Sequence, residues 1–439
     1  MKLFEGYKNI FRIPELKSRI LFTAFILAIY RLGGHIPVPG INGSAVREIF
    51  DSAGQGVLAL YDMFAGGNLS NATIFALGIM PYISASIIFQ LLQAVVPALE
   101  KLAKEGEEGR RKITQYTRYV TVGLAFIQAL GISIGLERLP ATATGQFIVP
   151  DPGFMFKFVT VITLVTGTIF VMWLGEQVTE RGIGNGISLI ITIGIIAQYP
   201  SDFLNTFRTL KAGTLNWFGL AALVALAIAL TAVVILMTQG QRRIPVQYAK
   251  KMVGRRMYGG ASTHIPLRIN TAGVIPIIFA QSIIMLPATL GSYFPDNPAI
   301  RTIAAWFAPG AVAYILVYAA IIIFFAYFYT AVVLNPVDLA DNMKKYGGFI
   351  PGIRPGKRTA EFIDRVLSRI TLPGAIFLAF IAILPDVLIR KANVPFYLGG
   401  TGLLIVVGVA LDTMQQIESH LLMRNYDGFT KRGKLRGRR

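Results

Sequence analysis

The chain contains 439 residues, of which 54% are hydrophobic and only 15% are charged, and it carries a formal net charge of +19. These proportions exclude an ordinary soluble domain, in which roughly a quarter of the residues are charged. The sequence contains no Cys, which excludes disulfides, thiolate metal sites and a thiol nucleophile. The composition therefore indicates a membrane protein.

About ten apolar segments have the length that crosses the hydrocarbon core of a bilayer as a helix. Because they run from one end of the chain to the other, we interpret the chain as a single bundle. The predicted segments are, in chain order, Ser18–Gly33, Ala72–Ala94, Thr114–Leu136, Phe158–Leu174, Ile187–Tyr199, Trp217–Met237, Thr271–Tyr293, Ala311–Leu334, Ile370–Ile389 and Thr401–Leu411.

The charge pattern predicts the topology. Most of the 42 Lys and Arg residues lie on alternate connections between the apolar segments. Because cytoplasmic connections collect Lys and Arg, we expect both termini to be cytoplasmic. The N-terminal segment resembles a signal peptide, but Arg31–Pro37 offers no small-residue cleavage site, so we expect it to remain as the first span. The predicted fold class is an all-α polytopic membrane protein.

The spans contain few groups that could carry out chemistry. No Asp, Glu, Lys, Arg or His lies in the middle of a span, whereas ion-coupled transporters usually need such a group there. The three His residues, His35, His264 and His420, lie in loops or at span edges. Neither a His-Glu-x-x-His motif nor a glycine-rich phosphate loop occurs. We therefore expect no enzymatic activity, no metal and no cofactor.

A faint internal repeat relates the two parts of the chain. Gly78–Ala85 in the second span matches Gly273–Ala280 in the seventh, with Gly, Pro, Ile and Ala at the same offsets, and Gly184–Leu189 echoes Gly400–Ile405. Matches five spans apart predict inverted topology, with the working site between the halves. Chance similarity between apolar helices is the alternative. We expect an N-terminal half over residues 1–200 and a C-terminal half over residues 201–439.

Two features favour a pore that opens. Pro81 and Pro276 remove backbone donors and can kink their helices, although membrane prolines are often merely tolerated. The long outside connection after the first span also contains an apolar stretch, Val57–Phe64, that is too short to cross a bilayer, followed by the glycine-rich hinge Ala65–Asn68. A re-entrant plug over about residues 55–68 fits this pattern, and an interfacial surface helix is the alternative. The plug side chains would be Val57, Leu58, Leu60, Tyr61, Met63 and Phe64.

Two large cytoplasmic loops resemble docking surfaces. The first, Gln239–Asn270, contains Arg242 and Arg243, and the second is Asn335–Arg369. Positive-inside statistics need only a few charges, not extended loops punctuated by Pro, Gly and aromatic residues. We expect these loops to meet an acidic protein or nucleic acid phosphate, with binding to anionic phospholipid headgroups as the alternative. The basic tail over residues 431–439 is typical of a disordered, solvated segment.

Several long strings resemble the SecY/Sec61 alpha family, whose members form the central subunit of the Sec protein-conducting channel. The resemblance covers nearly every predicted span, and it is weaker at the plug and the outside loops. The strings are Phe75–Ile83, Lys104–Lys112, Thr179–Gly186, Ala272–Pro276 and Pro351–Gly356.

The resemblance implies ten transmembrane helices in two inverted five-helix halves around a central pore, closed by a short re-entrant plug helix. It also implies release of apolar segments sideways through a seam between the second and seventh helices. Three glutamines could join across that seam, with isolated helix packing or water contact as the alternatives. The implied pore ring is Ile79, Ile83, Ile187, Ile191, Ile278 and Ile405; the lateral gate residues are Gln90, Gln128 and Gln281.

The resemblance assigns partners as well. Arg255, Arg256 and Arg354 match loop positions where the family meets the ribosome or the SecA motor ATPase. SecE and SecG subunits would brace the bundle, and preproteins with signal peptides would be the substrates, in the cytoplasmic (inner) membrane. An inverted-repeat secondary transporter and a membrane scaffold without a pore are the competing hypotheses; the first lacks mid-span charges, and the plug and repeat disfavour the second.

Overall fold

A computed structural model describes most of the chain as helices joined by short connections. The described residues are 13–52, 57–138, 145–211, 213, 216–248, 251–253, 256–258, 262–293, 302, 306–307, 311–392 and 400–432. They fall into two compact units. The first unit comprises Met1–Leu204, Ala288–Arg301 and Ile405–Arg439, and the second comprises Asn205–Pro287 and Thr302–Leu404. This division follows local compactness, so the two sequence halves related by the repeat stay a prediction.

The first part of the chain forms nine helices up to residue 211 among the described residues. Helix α1 begins with a proline in its first turn and carries Glu15 there, where the exposed backbone N–H groups favour a negative charge. The helices are α1 Pro14–Gly33, α2 Gly43–Ser52, α3 Val57–Ala65, α4 Met80–Val95, α5 Pro97–Lys104, α6 Glu107–Arg138, α7 Phe154–Arg181, α8 Gly186–Ile196 and α9 Tyr199–Lys211.

The remaining described residues form six further helices and five short strands. The strands were not expected in an all-α fold, and they lie in the two loops predicted to dock partners. The elements are α10 Trp217–Gln239, β1 Gln241–Tyr248, β2 Lys251–Val253, β3 Arg256–Tyr258, β4 Ser262–Arg268, α11 Ile275–Tyr293, α12 Val312–Val333, α13 Pro336–Lys345, β5 Gly348–Phe349, α14 Lys357–Ala392 and α15 Gly400–Arg432.

Each of the ten predicted apolar segments overlaps a helix. By length and hydropathy alone, six helices in the described residues could cross a membrane, or seven if a bent pair counts as one span. The mean hydropathy of these windows ranges from 1.5 to 2.9. The count of ten spans stays a prediction. The six candidate spans are Glu107–Glu137, Phe154–Arg181, Gly186–Lys211, Trp217–Gln239, Val312–Lys345 and Lys357–Leu384. Of these, Gly186–Lys211 comprises α8 and α9, and Val312–Lys345 comprises α12 and α13.

The prolines of the repeat begin helices instead of kinking them. Pro81 and Pro276 are the second residues of α4 and α11, where a missing backbone N–H costs nothing because the first turn has no acceptor for it. The expectation of kinks at these two prolines was therefore wrong. The sharp bend lies after α4, where a break at Val96 turns the chain by 100° into α5, which Pro97 begins.

The two repeat members share local geometry. Gly78 and Gly273, each two residues before the first residue of its helix, have φ of 55° and 63°. These positive φ angles are accessible to glycine at no steric cost. The structure thus gives the same left-handed turn before α4 and before α11, and the match extends beyond apolar composition. The inverted relation between the halves stays a prediction.

The two large loops fold together in the second unit. Strand β1 pairs antiparallel with β4, with Ile244 opposite Ile265, and also with β5, with Gln247 opposite Phe349. We call β1, β4, β5, α13 and the start of α14 the strand module. Its core is a cluster of aliphatic side chains: Ile244, Val246, Leu267, Met343, Ile350, Ile363, Val366 and Leu367. The loops therefore form one folded body, with β2 and β3 as a separate short hairpin.

Candidate pore and plug

Helix α8 carries two of the predicted ring positions. Asn185 caps the helix, because its side-chain oxygen accepts hydrogen bonds from the backbone N–H groups of Ile187 at 3.1 Å and Ser188 at 3.3 Å. Every residue from Gly186 to Ile196 except Thr192, Ser188 and the glycines is Ile or Leu. The cap therefore fixes the start of a helix that is apolar almost throughout. Ile187 and Ile191 are four residues apart and lie on the same face of it.

The ring positions are mostly buried. In the first unit Ile79, Ile83 and Ile191 are 1%, 5% and 1% exposed, and Ile405 is 0% exposed; Ile187 is partly exposed. Ile278, in the second unit, is 6% exposed. Burial is compatible both with ordinary packing and with pore lining, so the ring stays a prediction.

Ile79 and Ile83 share one face although only Ile83 lies inside α4. Ile79 caps the helix with αR geometry, and the Ile83 N–H donates to the Ile79 carbonyl at 3.1 Å. The pair therefore keeps the predicted i,i+4 relation. The residues before it, from 66 to 79, form successive turns, so the helix is shorter than the predicted segment Ala72–Ala94.

The predicted plug is a short helix. Helix α3 spans nine residues, and Tyr61, Met63 and Phe64 on it are 8%, 8% and 2% exposed. The Tyr61 hydroxyl donates to the Leu77 carbonyl at 3.3 Å, and α3 packs against α8. The other predicted plug residues, Val57, Leu58 and Leu60, lie on α3, but their side chains lie outside what the structure describes. Burial among protein helices disfavours an exposed surface helix.

The segment predicted as a hinge is held by α1. The Tyr30 hydroxyl donates to the Ala65 carbonyl at 3.3 Å and accepts from the Asn68 amide at 3.2 Å. Arg31 donates to the Gly66 carbonyl at 3.2 Å. Gly66 has φ of 75° and lies so close to α8 that a Cβ added to it would be 2.8 Å from the Gly194 Cα. We call Ala65–Asn68 the plug hinge; it is bonded and closely packed.

A buried carboxyl group closes the turn after α3. Asp62, which is 8% exposed, accepts hydrogen bonds from the backbone N–H groups of Leu69 at 2.8 Å and Ser70 at 2.9 Å. Both bonds run from the backbone of the following segment to the Asp62 side chain. The end of α3 is therefore tied both to α1 and to the segment that follows it.

The lateral gate glutamines have different surroundings. The Gln90 amide donates to the Ser86 hydroxyl at 3.2 Å, one turn earlier in α4. Gln128 is half-buried on α6. Gln281 is 2% exposed, and its amide nitrogen has no hydrogen-bond partner among the described residues. Gln281 belongs to the other compact unit, so the meeting of the three side chains stays a prediction.

An ion pair between α6 and α7 escaped the sequence analysis. The Arg118 guanidinium donates to both carboxylate oxygens of Glu176, at 2.9 Å and 2.8 Å, and the Glu176 side chain is 13% exposed. Such bidentate pairs fix geometry as well as charge. The two charges lie 58 positions apart, and only the pairing of neighbouring helices, which hydropathy does not predict, brings them together.

The predicted docking arginines are spread over the second unit. Arg242 and Arg243 are exposed on β1, and Arg354 is exposed between β5 and α14. Because β1 pairs with β5, residues from both loops lie on one folded body. Arg256 lies on β3 with its side chain outside the described set, and Arg255 lies outside the described residues. Among the described residues no group of three or more His, Asp or Glu could hold a metal.

The fold is that of known channels. A SecY structure described as showing that the plug domain stabilises the closed state of the translocation channel and maintains a membrane seal aligns with a TM-score of 0.67, covering 92% of each chain at 20% identity. Sec61 in a canine ribosome–channel complex from the endoplasmic reticulum aligns with a TM-score of 0.63, covering 92% of each chain at 18% identity. The chain therefore has the fold of these channels, and six spans in its described residues are long and apolar enough to cross a membrane.

Sequence similarity narrows this class to one family. The SecY family model matches residues 73–414. The protein translocase subunit SecY of Escherichia coli K12 is 49% identical over 428 residues, which cover 97% of this chain and 96% of the relative. The chain belongs to the SecY family, and the resemblance carried by the short sequence strings is confirmed.

Proposed function

We propose that the chain is the channel subunit of a protein translocase, which moves secretory polypeptides across the cytoplasmic membrane and releases hydrophobic segments sideways into lipid. One observation carries the proposal. The described side chains of α3, a short apolar helix, are buried, and α3 packs against α8, the helix that also bears two predicted ring isoleucines. A pore that is closed but can open requires a plug helix that can be displaced from an apolar lining.

An apolar ring suits a polypeptide pore physically. It offers no fixed dipoles to replace the hydration of an ion, so ions meet a dewetted constriction. An extended polypeptide needs no sequence-specific contact to pass it. The stiff β-branched side chains of Ile79, Ile83, Ile187, Ile191, Ile278 and Ile405 form a gasket that widens as the helices separate.

Sideways release follows from partitioning into lipid. Each apolar residue contributes about −0.3 to −0.6 kcal/mol at the centre of a membrane helix, whereas one charge costs about 2.5 to 3.5 kcal/mol. A sufficiently apolar segment therefore leaves the pore, and a polar one continues across. The seam lies between α4 and α11, with Gln90, Gln128 and Gln281 along it.

The energy for transport comes from partners, since the spans lack the mid-span ionisable groups of coupled transporters. The SecA motor ATPase and the ribosome dock on the strand module and the β2–β3 hairpin, through Arg242, Arg243, Arg255, Arg256 and Arg354. SecE and SecG brace the helical bundle, and anionic phospholipids neutralise the remaining basic connections. The chain lies in the inner membrane with both termini cytoplasmic.

The ring is tested by making it polar at one position. Ile83→Asn places an amide at a residue that is 5% exposed, and we expect it to wet the constriction and raise the resting ion conductance of the purified channel in planar bilayers. The matched control is Ile88→Asn on the same helix, because Ile88 is 40% exposed and faces away from the protein interior. Equal conductance in the two variants would argue against the ring.

A further inference from the structure

The glycine-rich turn before α8 is held by side chains from three other helices. We call Gly182–Gly186 the glycine turn. Its Ile183 N–H donates to the Thr23 hydroxyl of α1 at 3.1 Å, and its Gly184 N–H donates to the Gln416 side-chain oxygen of α15 at 2.9 Å. The Gly186 N–H donates to the Thr179 hydroxyl of α7 at 2.9 Å. Three backbone donors of the turn thus have separate side-chain acceptors.

The glycine turn is closely packed against its neighbours. Gly184 has φ of 87°, and a Cβ added there would lie 2.9 Å from Leu189 and 3.1 Å from the Thr413 hydroxyl. A Cβ added at Gly186 would lie 2.0 Å from the Gly175 carbonyl oxygen. Contacts with α7 and α15 therefore restrict the position of the start of α8.

The Gln416 bond joins two helices that carry ring positions within the first unit. Gln416 lies eleven residues after Ile405 on α15, which is three turns plus about 20° of rotation, so both residues lie on the same face. On the other side of the bond, Gly184 lies three residues before Ile187. A single side chain thus links the α15 face that bears Ile405 to the first turn of the helix that bears Ile187 and Ile191.

We propose that Gln416 is a positioning residue of the pore: by accepting the Gly184 N–H, it holds the beginning of α8 against α15 and thereby keeps the α8 isoleucines in the closed arrangement. Thr23 supports the same turn from α1. Gln416 does not touch the polypeptide; it acts through α8. The inference rests on the proposed function in one respect, which is that the observed position of α8 corresponds to a closed pore. The hydrogen bond and its effect on α8 are properties of the fold.

Accessibility of α8 tests this positioning without any transport assay. The chain has no Cys, so Ile191→Cys supplies the single thiol, at a position that is 1% exposed. The rate of its reaction with a water-soluble maleimide is measured in purified channel in lipid vesicles. The test variant is Gln416→Leu, which keeps the bulk and removes the acceptor. Because Gln416 is an exposed residue, the change leaves α15 able to fold.

Two further variants separate the hydrogen bond from general effects on α15. Gln416→Glu keeps an oxygen acceptor at the same reach. Met414→Leu is the matched control, because Met414 is 44% exposed and lies about 200° away from Gln416 around the helix. If this helical turn had only a structural role, both leucine variants would change the labelling rate, and Gln416→Glu would not restore it.

We expect Gln416→Leu to raise the labelling rate about fivefold, the factor by which one ordinary hydrogen bond shifts a two-state ratio. Gln416→Glu and Met414→Leu should label at the parental rate. Equal rates in all four proteins, or no restoration by glutamate, would overturn the proposal. The resting conductance of the same proteins is a separate readout: labelling that responds while conductance stays parental would support positioning by Gln416 and contradict the sealing role of the ring.

Discussion

The α8 region of the first unit and the strand module of the second unit are stabilised in different ways. Around α8, backbones approach one another through glycines, and single side chains such as Tyr30 and Gln416 satisfy backbone groups of the plug hinge and the glycine turn. The strand module instead combines a β-ladder with an aliphatic core. We therefore expect the first arrangement to respond to the addition of one methyl group or the loss of one hydroxyl. We expect the second to tolerate surface substitutions that leave its aliphatic core intact.

This difference matches the roles we propose. A seal that must open is held by a few specific contacts, which can be exchanged together when helices separate. A docking surface must keep its shape while partners bind and leave, so a small packed core with exposed basic residues suits it. Variants of the two regions should therefore separate sealing from docking.

The largest expected effect is the loss of the module core. Leu267→Ala truncates a side chain that is 1% exposed within the aliphatic cluster, and such truncations cost about 2–5 kcal/mol. We expect the β1 and β4 amides to lose hydrogen-exchange protection by that amount while resting conductance stays parental. Val337→Ala, at a residue of α13 that is 56% exposed, is the control. Unchanged protection in Leu267→Ala would show that the cluster does not stabilise the strands.

The next effect is overpacking at the glycine turn. Gly186→Ala places a Cβ 2.0 Å from the Gly175 carbonyl oxygen and 2.8 Å from Val178, so α7 and α8 must move apart at a cost of about 1–3 kcal/mol. We expect a lower melting temperature for the purified channel and faster maleimide labelling at Ile191→Cys. Gly123→Ala on α6, where an added Cβ meets nothing within 4 Å, should leave both parental. A parental melting temperature for Gly186→Ala would contradict the close approach.

A smaller effect is expected at the plug hinge. Tyr30→Phe removes the hydroxyl that bonds Ala65 and Asn68, and an ordinary hydrogen bond contributes about 0.5–1.5 kcal/mol. The seated plug should therefore lose occupancy, and resting conductance should rise about two- to tenfold. Tyr346→Phe, at a residue that is 71% exposed near the strand module, should not change conductance. A parental conductance for Tyr30→Phe would mean that α1 does not hold the plug.

The smallest effect on folding is expected at the docking surface. Arg354→Glu reverses an exposed charge, and surface changes of this kind usually stay within about 0.5 kcal/mol. We nevertheless expect motor-driven export into vesicles to fall, because an acidic partner would meet a like charge. Lys345→Glu, an exposed residue at the end of α13, makes the same charge change elsewhere on the module. Export at the parental rate with Arg354→Glu would defeat the docking assignment.

Hydropathy predicted the helical segments because a bilayer demands long apolar helices. It predicted the ends of helices poorly where glycine and proline determine the backbone geometry. The second predicted segment began at Ala72, yet α4 begins at Met80, because Gly78 adopts positive φ and Pro81 suits the first turn of a helix. The prolines were recognised, but their position relative to the helix start required the structure.

The strands were missed because their sequences carry the signals of loops. Strand β1, for example, contains Arg242, Arg243 and Pro245, and only Ile244 and Val246 are buried. Pairing with β4 and β5 supplies the stability that the local sequence lacks. Long-range contacts such as Arg118 with Glu176 and Gly184 with Gln416 were missed for the same reason: helix neighbours cannot be deduced from apolar composition.

The sequence predicted the short apolar helix of the candidate site, but it did not predict how the neighbouring glycines act. The apolar half-helix and the glycines after it predicted a plug, which stays a prediction; the structure shows a short helix there whose described side chains Tyr61, Met63 and Phe64 are buried. The same glycines were interpreted as flexible, whereas Gly66 lies against Gly194 and is bonded by Arg31. Glycine permits both mobility and close approach, and the neighbours decide which one it serves.

The most direct test of the account is whether a polypeptide in transit contacts the predicted ring. Ile83→Cys provides a single thiol in the chain, and a stalled secretory chain with one Cys provides the other before oxidation. The account predicts a disulfide that forms only over a window of nascent-chain lengths. No disulfide at any length, while Ser44→Cys at an exposed position still reacts with longer chains, would contradict a protein-conducting pore at Ile83.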